Sequence, residues 1–178
     1  MEREEAVKHM TDVMAKFVAF TGKRLPDDVR AKIEELAQQE EEPLAKAIYK
    51  TMERNQELAV KLNRPSCQDT GALQFFIKCG TEFPYMAELP ELLRQAVVQA
   101  TKDAPLRHNA VETFDEYNTG KNVAKNIPSL FWDIAPGRDD CEIYTYMAGG
   151  GCSLPGHAKV LMPGEGYEGV TKFVLDVM

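Results

Sequence analysis

Residues 63–80, NRPSCQDTGALQFFIKCG, change the period of this chain from that of a helix to that of a strand. Pro65 disfavours helix at Arg64, and Gly71 permits backbone angles that other residues resist. From Ala72 the pattern alternates, with Leu73, Phe75, Ile77 and Cys79 on one face and Gln74 and Lys78 on the other. That alternation predicts a strand, and Phe76 predicts that its second face is partly covered as well. Cys67, Gln68, Asp69 and Thr70 then lie on a tight loop feeding a buried strand, where a rigid element can display reactive groups. The residues alone are equally consistent with a polar turn in which Asp69 and Thr70 satisfy nearby backbone groups.

Before that loop the period is helical. Val7, Met10, Met14, Phe17 and Val18 recur at three- and four-residue steps, predicting an amphipathic helix over 2–20 that stops near Gly22. Pro26-Asp27-Asp28 opens a second helix, because proline suits a first turn and carboxylates complement the positive helix end. Val29, Ile33 and Leu36 form its stripe, and Glu40-Glu41-Glu42 read as its solvated end. A third helix follows Pro43, with Leu44, Ala47, Ile48, Met52, Leu58 and Leu62 as its apolar positions. His9 has no neighbouring ligand types and is given no role.

After the strand, Leu92, Leu93, Ala96, Val97 and Ala100 predict a helix over 88–102, ended by Pro105. The stretch 107–125 has little periodicity and reads as an ordered functional loop, anchored through Val111 and Phe114. Aromatic and β-branched residues predict strands over 130–134 and 142–147, and the Pro136-Gly137 turn between them suggests a hairpin. A further strand is expected over 158–161, and a last helix after Gly169 carries Val170, Phe173, Val174 and Val177. The switch of period predicts an α+β fold in which a helical part, 1–62, packs on a small mixed or antiparallel sheet unit with flanking helices, 63–178.

At 178 residues the chain is long enough for one sizeable core. Its apolar runs fall short of the ~20 residues of a membrane span, and MEREE is no signal peptide. A formal charge of -7 argues against nucleic acid, and it requires any anionic substrate to meet locally placed cations. Four cysteines without a CxxC pair suit neither a disulfide framework nor a structural zinc site, which points to a reducing cytoplasm.

CQDTG, Pro105-Leu106-Arg107-His108-Asn109-Ala110-Val111, Asn118-Thr119-Gly120-Lys121-Asn122 and Ala148-Gly149-Gly150-Gly151 occur in that order. Together they resemble the iron–sulfur hydro-lyases, the family of class I fumarate hydratases and L(+)-tartrate dehydratase alpha subunits. The later wording, GGGC-x-LPG, KVLMP and GYEGV, is closer to the tartrate dehydratase branch. The resemblance implies a hydro-lyase that dehydrates L(+)-tartrate to oxaloacetate, with malate and fumarate as the alternative substrate pair. A non-catalytic assembly module of the same fold is the reading from another class. It also implies a [4Fe-4S] cluster on three thiolates, with Cys67 the first of them.

In that frame Asp69 is the acid–base residue, and Gln68 presents its amide to the substrate. Arg107 clamps a carboxylate with its guanidinium fork, and the N–H groups of Gly149, Gly150 and Gly151 face the substrate's other end. Cys79 shares the parity of the core positions, Cys141 has no ligand context, and Cys152 adjoins the triple glycine without being a ligand in the resemblance. His108 and His157 are candidate proton carriers on loops that match no residue of the family pattern. A cluster set of Cys67, Cys79 and Cys152 is also compatible with the count. The family's alpha region continues beyond a length like this one, so the chain is expected to be an N-terminal portion. It is expected to need a beta subunit or C-terminal domain as partner, to self-associate, and to be silent by itself.

Overall fold

The computed structural model describes residues 2–67, 69–112, 114–153 and 156–178, with Cys152 and Ser153 as backbone only. Three helices come first: α1 (Arg3–Thr21), α2 (Asp27–Gln39) and α3 (Pro43–Leu62). Pro43 occupies the first turn of α3, and Asn63 ends it in the left-handed region at φ 52°, a conformation asparagine tolerates. Next come β1 (Ala72–Gly80) and α4 (Leu89–Asp103), the latter closed one residue before Pro105. A two-residue ladder of β2 (Val111–Glu112) and β3 (Tyr117–Asn118) precedes β4 (Ser129–Ala135) and β5 (Cys141–Ala148). The chain then makes a single helical turn, α5 (Gly150–Ser153), a short 3-10 turn (Pro163–Glu165), and α6 (Gly166–Val177). This is the α+β fold expected.

The three-stranded sheet has the order β4-β1-β5, with β1 parallel to β4 and antiparallel to β5. The expected hairpin of the two later strands is therefore corrected: β4 and β5 flank β1 and do not pair with each other. The 136–140 turn crosses the end of β1 instead. Gly80 donates to the Asp140 carbonyl at 2.9 Å and Glu82 to the Arg138 carbonyl at 2.9 Å. A central strand with two unpaired edges satisfies more backbone groups than a hairpin standing alone. The strand expected over 158–161 is also corrected: the segment is irregular, and Val160 is 92% exposed with no sheet edge beside it.

Leu73, Phe75, Ile77 and Cys79 of β1 are buried against Leu89, Leu92, Leu93, Val97 and Ala100 of α4, with Val18 and Ala19 of α1 in the same cluster. Of the N-terminal helices, α1 shares this core, whereas α2 packs mainly on α3. The stripes of α2 and α3 stay partly open, with Leu44, Ile48 and Met52 exposed. On the second sheet face Phe76 stacks on Phe131 at 4.8 Å, and both rings keep an exposed side, while Gln74 and Lys78 beside Phe76 are half-buried.

The start of α1 is pinned to the entrance of α4. Arg3 Nε donates to Glu88 Oε1 at 2.6 Å and Arg3 Nη2 to the Pro84 carbonyl at 2.6 Å. The Arg3 bond holds the Glu88 carboxyl below its ordinary value of 4.5. A lowered carboxylate pKa gives stability that is present above the ordinary value and is lost as pH falls through the lowered one. The difference in urea unfolding between Arg3→Ala and the parent chain should be widest at neutral pH and narrow as pH falls through the lowered Glu88 value, below 4.5. Whatever difference persists at low pH belongs to the Arg3 bond to the Pro84 carbonyl and its packing on Tyr85, and a difference that does not narrow at all would contradict the Glu88 pairing.

Candidate functional site

The loop between α3 and β1 is tied down on both sides. Ser66 N–H donates to the Gly22 carbonyl at 2.9 Å, and Asn55 Nδ2 donates to the Ser66 carbonyl at 2.6 Å. Cys67 follows with an exposed free thiol, and Gln68 lies outside the described residues. Asp69 is the hub. Its Oδ1 accepts from Asn109 Nδ2 at 2.8 Å and its Oδ2 from the Gly150 N–H at 2.6 Å. The Gly151 and Gly71 N–H groups also reach it. These donors, with Gly150 the strongest, hold the Asp69 carboxyl below the ordinary value of 3.8, since hydrogen bonds to an ionised carboxylate favour that form.

Two glycines make the approach possible. Gly71 sits at φ +77°, and a Cβ there would lie 2.2 Å from the Ala148 backbone. At Gly149 a Cβ would lie 2.5 Å from Asp69 Cγ. The triple glycine, whose N–H groups are expected to face a substrate, here turns against Asp69. Gly150 donates to Asp69, with the Gly151 N–H also directed at it, because the chain turns into α5 directly over the carboxylate.

Arg107 arrives from the end of α4, held by its backbone. Its carbonyl accepts from the buried Thr70 hydroxyl at 3.1 Å and from Asn122 Nδ2 at 2.9 Å. Its side chain is exposed, and among the described residues its guanidinium makes no hydrogen bond or ion pair. Asn122, 2% exposed and at φ 56°, is the brace of this segment. Its Oδ1 accepts from the Asn109 N–H at 2.7 Å, and its Nδ2 also reaches Thr101 Oγ1 at 3.2 Å. Asn109 and Asn122 were given no role from the sequence, although both stand in the quoted motifs. The available signal was two amides in an irregular, glycine-containing stretch, where amides commonly replace backbone partners.

The structure thus joins the Asp69 loop, the 107–109 segment, Asn122 and the 149–151 turn. His108 is exposed beside Gly120, and His157 lies in the exposed segment after the turn. Val111 and Phe114, expected to anchor the loop, are corrected: Phe114 is 93% exposed, and polar bonds fix this stretch. Among them is the Lys125 N–H to Glu112 Oε1 bond at 2.8 Å. A cleft of about 1240 Å³ lies on the other side of Cys67, between the end of α1, α2 and α3. Among the described candidate residues, it includes Cys67 and none of the others.

Among the described residues, no group of three or more His, Cys, Asp or Glu is placed to hold a metal ion. Cys67 fits a ligand role by its exposure and its rigid loop. Cys79 does not: it is fully buried at the far end of β1, beside Cys141. Cys79 therefore cannot join Cys67 in one ligand set, which leaves no place for the combination of Cys67, Cys79 and Cys152. No helix among the described residues is long and apolar enough to cross a membrane.

Comparison with known proteins shows the family of the chain. The L(+)-tartrate dehydratase subunit alpha of Escherichia coli (strain K12) is 54% identical over 174 residues, covering 98% of this chain and 57% of that protein. The subunit of the same name from Shigella sonnei matches equally. A putative L(+)-tartrate dehydratase subunit alpha of Methanocaldococcus jannaschii is 29% identical over 172 residues, 95% of this chain and 60% of its own length. The chain thus spans less than two thirds of the length of these relatives. The family described as fumarate hydratase (Fumerase) matches residues 11–178, which include every motif and every contact of the Asp69 hub. The class I members of that family are generally iron–sulfur dependent. With that match over nearly its whole length, the chain belongs to the fumarate hydratase family.

Proposed function

We propose that this chain is the N-terminal portion of the alpha subunit of a [4Fe-4S]-dependent hydro-lyase that converts L(+)-tartrate to oxaloacetate and water. The observation that carries the reading is the Asp69 hub, where CQDTG, the Arg107 segment and the triple glycine meet. The names of the 54% identical relatives favour tartrate, and the family name keeps malate and fumarate as the second substrate pair. A beta subunit or further domain completes the assembly, which acts in the cytoplasm.

Dehydration needs a proton taken from carbon and help for a poor leaving group. Cys67, with two thiolates from outside the described residues, would hold the cluster, which when bound would supply Lewis-acid help to a departing hydroxyl. Arg107 offers a paired set of donors to one carboxylate, on a backbone fixed by Thr70 and Asn122. Gln68 adds an amide. Asp69 is ionised and strongly bonded, so in the described arrangement it can accept a proton but is a weak base. Its acid–base role requires release of the Gly150 and Gly151 donors, which substrate carboxylate then takes over.

In the complete assembly, Asp69→Asn should keep the iron content and lower turnover by about a hundredfold or more. Arg107→Lys should raise KM, since a point charge replaces a fork. The isolated 178-residue chain, treated anaerobically with iron and sulfide, should take up no stable four-iron cluster and dehydrate no tartrate. Four irons per chain with turnover would show a self-contained site instead.

A further inference from the structure

Cys79 and Cys141 are opposite one another in the antiparallel β1–β5 ladder. The next pair outward is hydrogen bonded, Gly80 N–H to the Asp140 carbonyl at 2.9 Å. Bonded and non-bonded pairs alternate along such a ladder, so Cys79 and Cys141 occupy a non-hydrogen-bonded position. There the Cα atoms lie about 4.5 Å apart with the side chains at their closest, within the span of about 4.4–6.8 Å that a disulfide bridges. Both thiols are free, and the Cys79 side chain is near enough to perturb the Cys141 thiol. Cys79 is fully buried, while Cys141 is partly open at the strand's start.

We propose that Cys79 and Cys141 form an oxidative modification site, which a small-molecule disulfide closes to an intramolecular cross-strand disulfide. The Cys141 thiolate attacks one sulfur of the oxidant and releases one small thiol. The Cys79 thiolate then displaces the second. Two S–H bonds break, one protein S–S bond forms, and the oxidant's S–S bond is reduced to two thiols. Cys141 is the entry point because it is the accessible member. Burial and the neighbouring Cys79 push its thiol up to about 12, which makes the first attack slow at neutral pH. Closure staples the start of β5 to the end of β1. The same two strands lead, at their other ends, to the triple glycine and the Asp69 loop.

Incubation of the folded 178-residue chain with oxidised glutathione, followed by acid quench, alkylation and peptide mapping, tests this. The expected product links the Cys79 and Cys141 peptides with no glutathione retained on either, and it forms more slowly than glutathionylation of exposed Cys67. Its urea midpoint should exceed that of the reduced chain and return on reduction, since the bond closes a long loop in the unfolded state. Cys141→Ala should leave Cys79 unmodified. Cys79→Val, if folded, should leave a stable mixed disulfide on Cys141. Glutathione retained on wild-type Cys141, a Cys67–Cys141 link, or both thiols reduced when Cys67 is fully modified would each overturn the proposal.

Discussion

Gly149→Ala should displace Asp69 and abolish most turnover in the complete assembly, whereas alanine at Gly150 or Gly151 should be tolerated far better. The three glycines are neighbours in sequence with different surroundings. A Cβ at Gly149 would stand 2.5 Å from Asp69 Cγ and 2.7 Å from Oδ2. At Gly150 the nearest atom, Asp69 Oδ2, is 3.4 Å away, and at Gly151 nothing lies within 4 Å. The new methyl at 149 pushes the carboxylate off both Asn109 and the Gly150 N–H, and a displacement of about 1 Å in a reacting group can cost about a hundredfold in rate. Hydrogen exchange at the Gly150 amide reports the event without any activity assay: protection should be lost in Gly149→Ala and kept in Gly151→Ala. Equal loss in all three would mean that the turn as a whole, rather than the Asp69 contact, needs glycine.

Asn122→Ala is the second large effect. The change removes three hydrogen bonds at a buried position and leaves the Asn109 N–H without its acceptor. An orphaned buried donor costs about 1–3 kcal/mol, and the lost bonds add about 1 kcal/mol each, for about 3 kcal/mol or more in total. Alanine at φ 56° adds about 1 kcal/mol of backbone strain. Asn122→Gly removes the same bonds without that strain and should unfold later in urea than Asn122→Ala. In the complete assembly both should raise KM through Arg107, whose carbonyl Asn122 holds. A urea shift worth under about 1 kcal/mol for alanine would show that Thr70 alone fixes the segment.

Local periodicity carried much of the fold. The stripes of α1 and α4 and the alternation of β1 are short-range signals, and those elements formed where the residues called for them. Strand partnership was not legible, because it depends on segments far apart in sequence. The 136–140 turn announces a reversal of the chain, yet nothing local says that β1 lies between the two arms. Residues 158–161 have strand composition but meet no edge. At the site, the motifs marked Cys67, Asp69, Arg107 and the triple glycine as a group. They did not reveal that Gly150 and Gly151 serve Asp69, or that Asn122 braces Arg107 and Asn109, since both facts arise from contacts across the sheet and the 107–125 loop. Phe114 misled for the converse reason: its anchor is polar and nonlocal.

The most direct measurement is oxaloacetate formation from L(+)-tartrate by the anaerobically reconstituted complete assembly, with iron counted in the same samples, for the parent sequence and Cys67→Ser. The proposed function predicts turnover with about four irons per site in the parent, and loss of both in Cys67→Ser. Tartrate turnover that survives in Cys67→Ser, or a parent assembly that hydrates fumarate while leaving tartrate untouched, would contradict it.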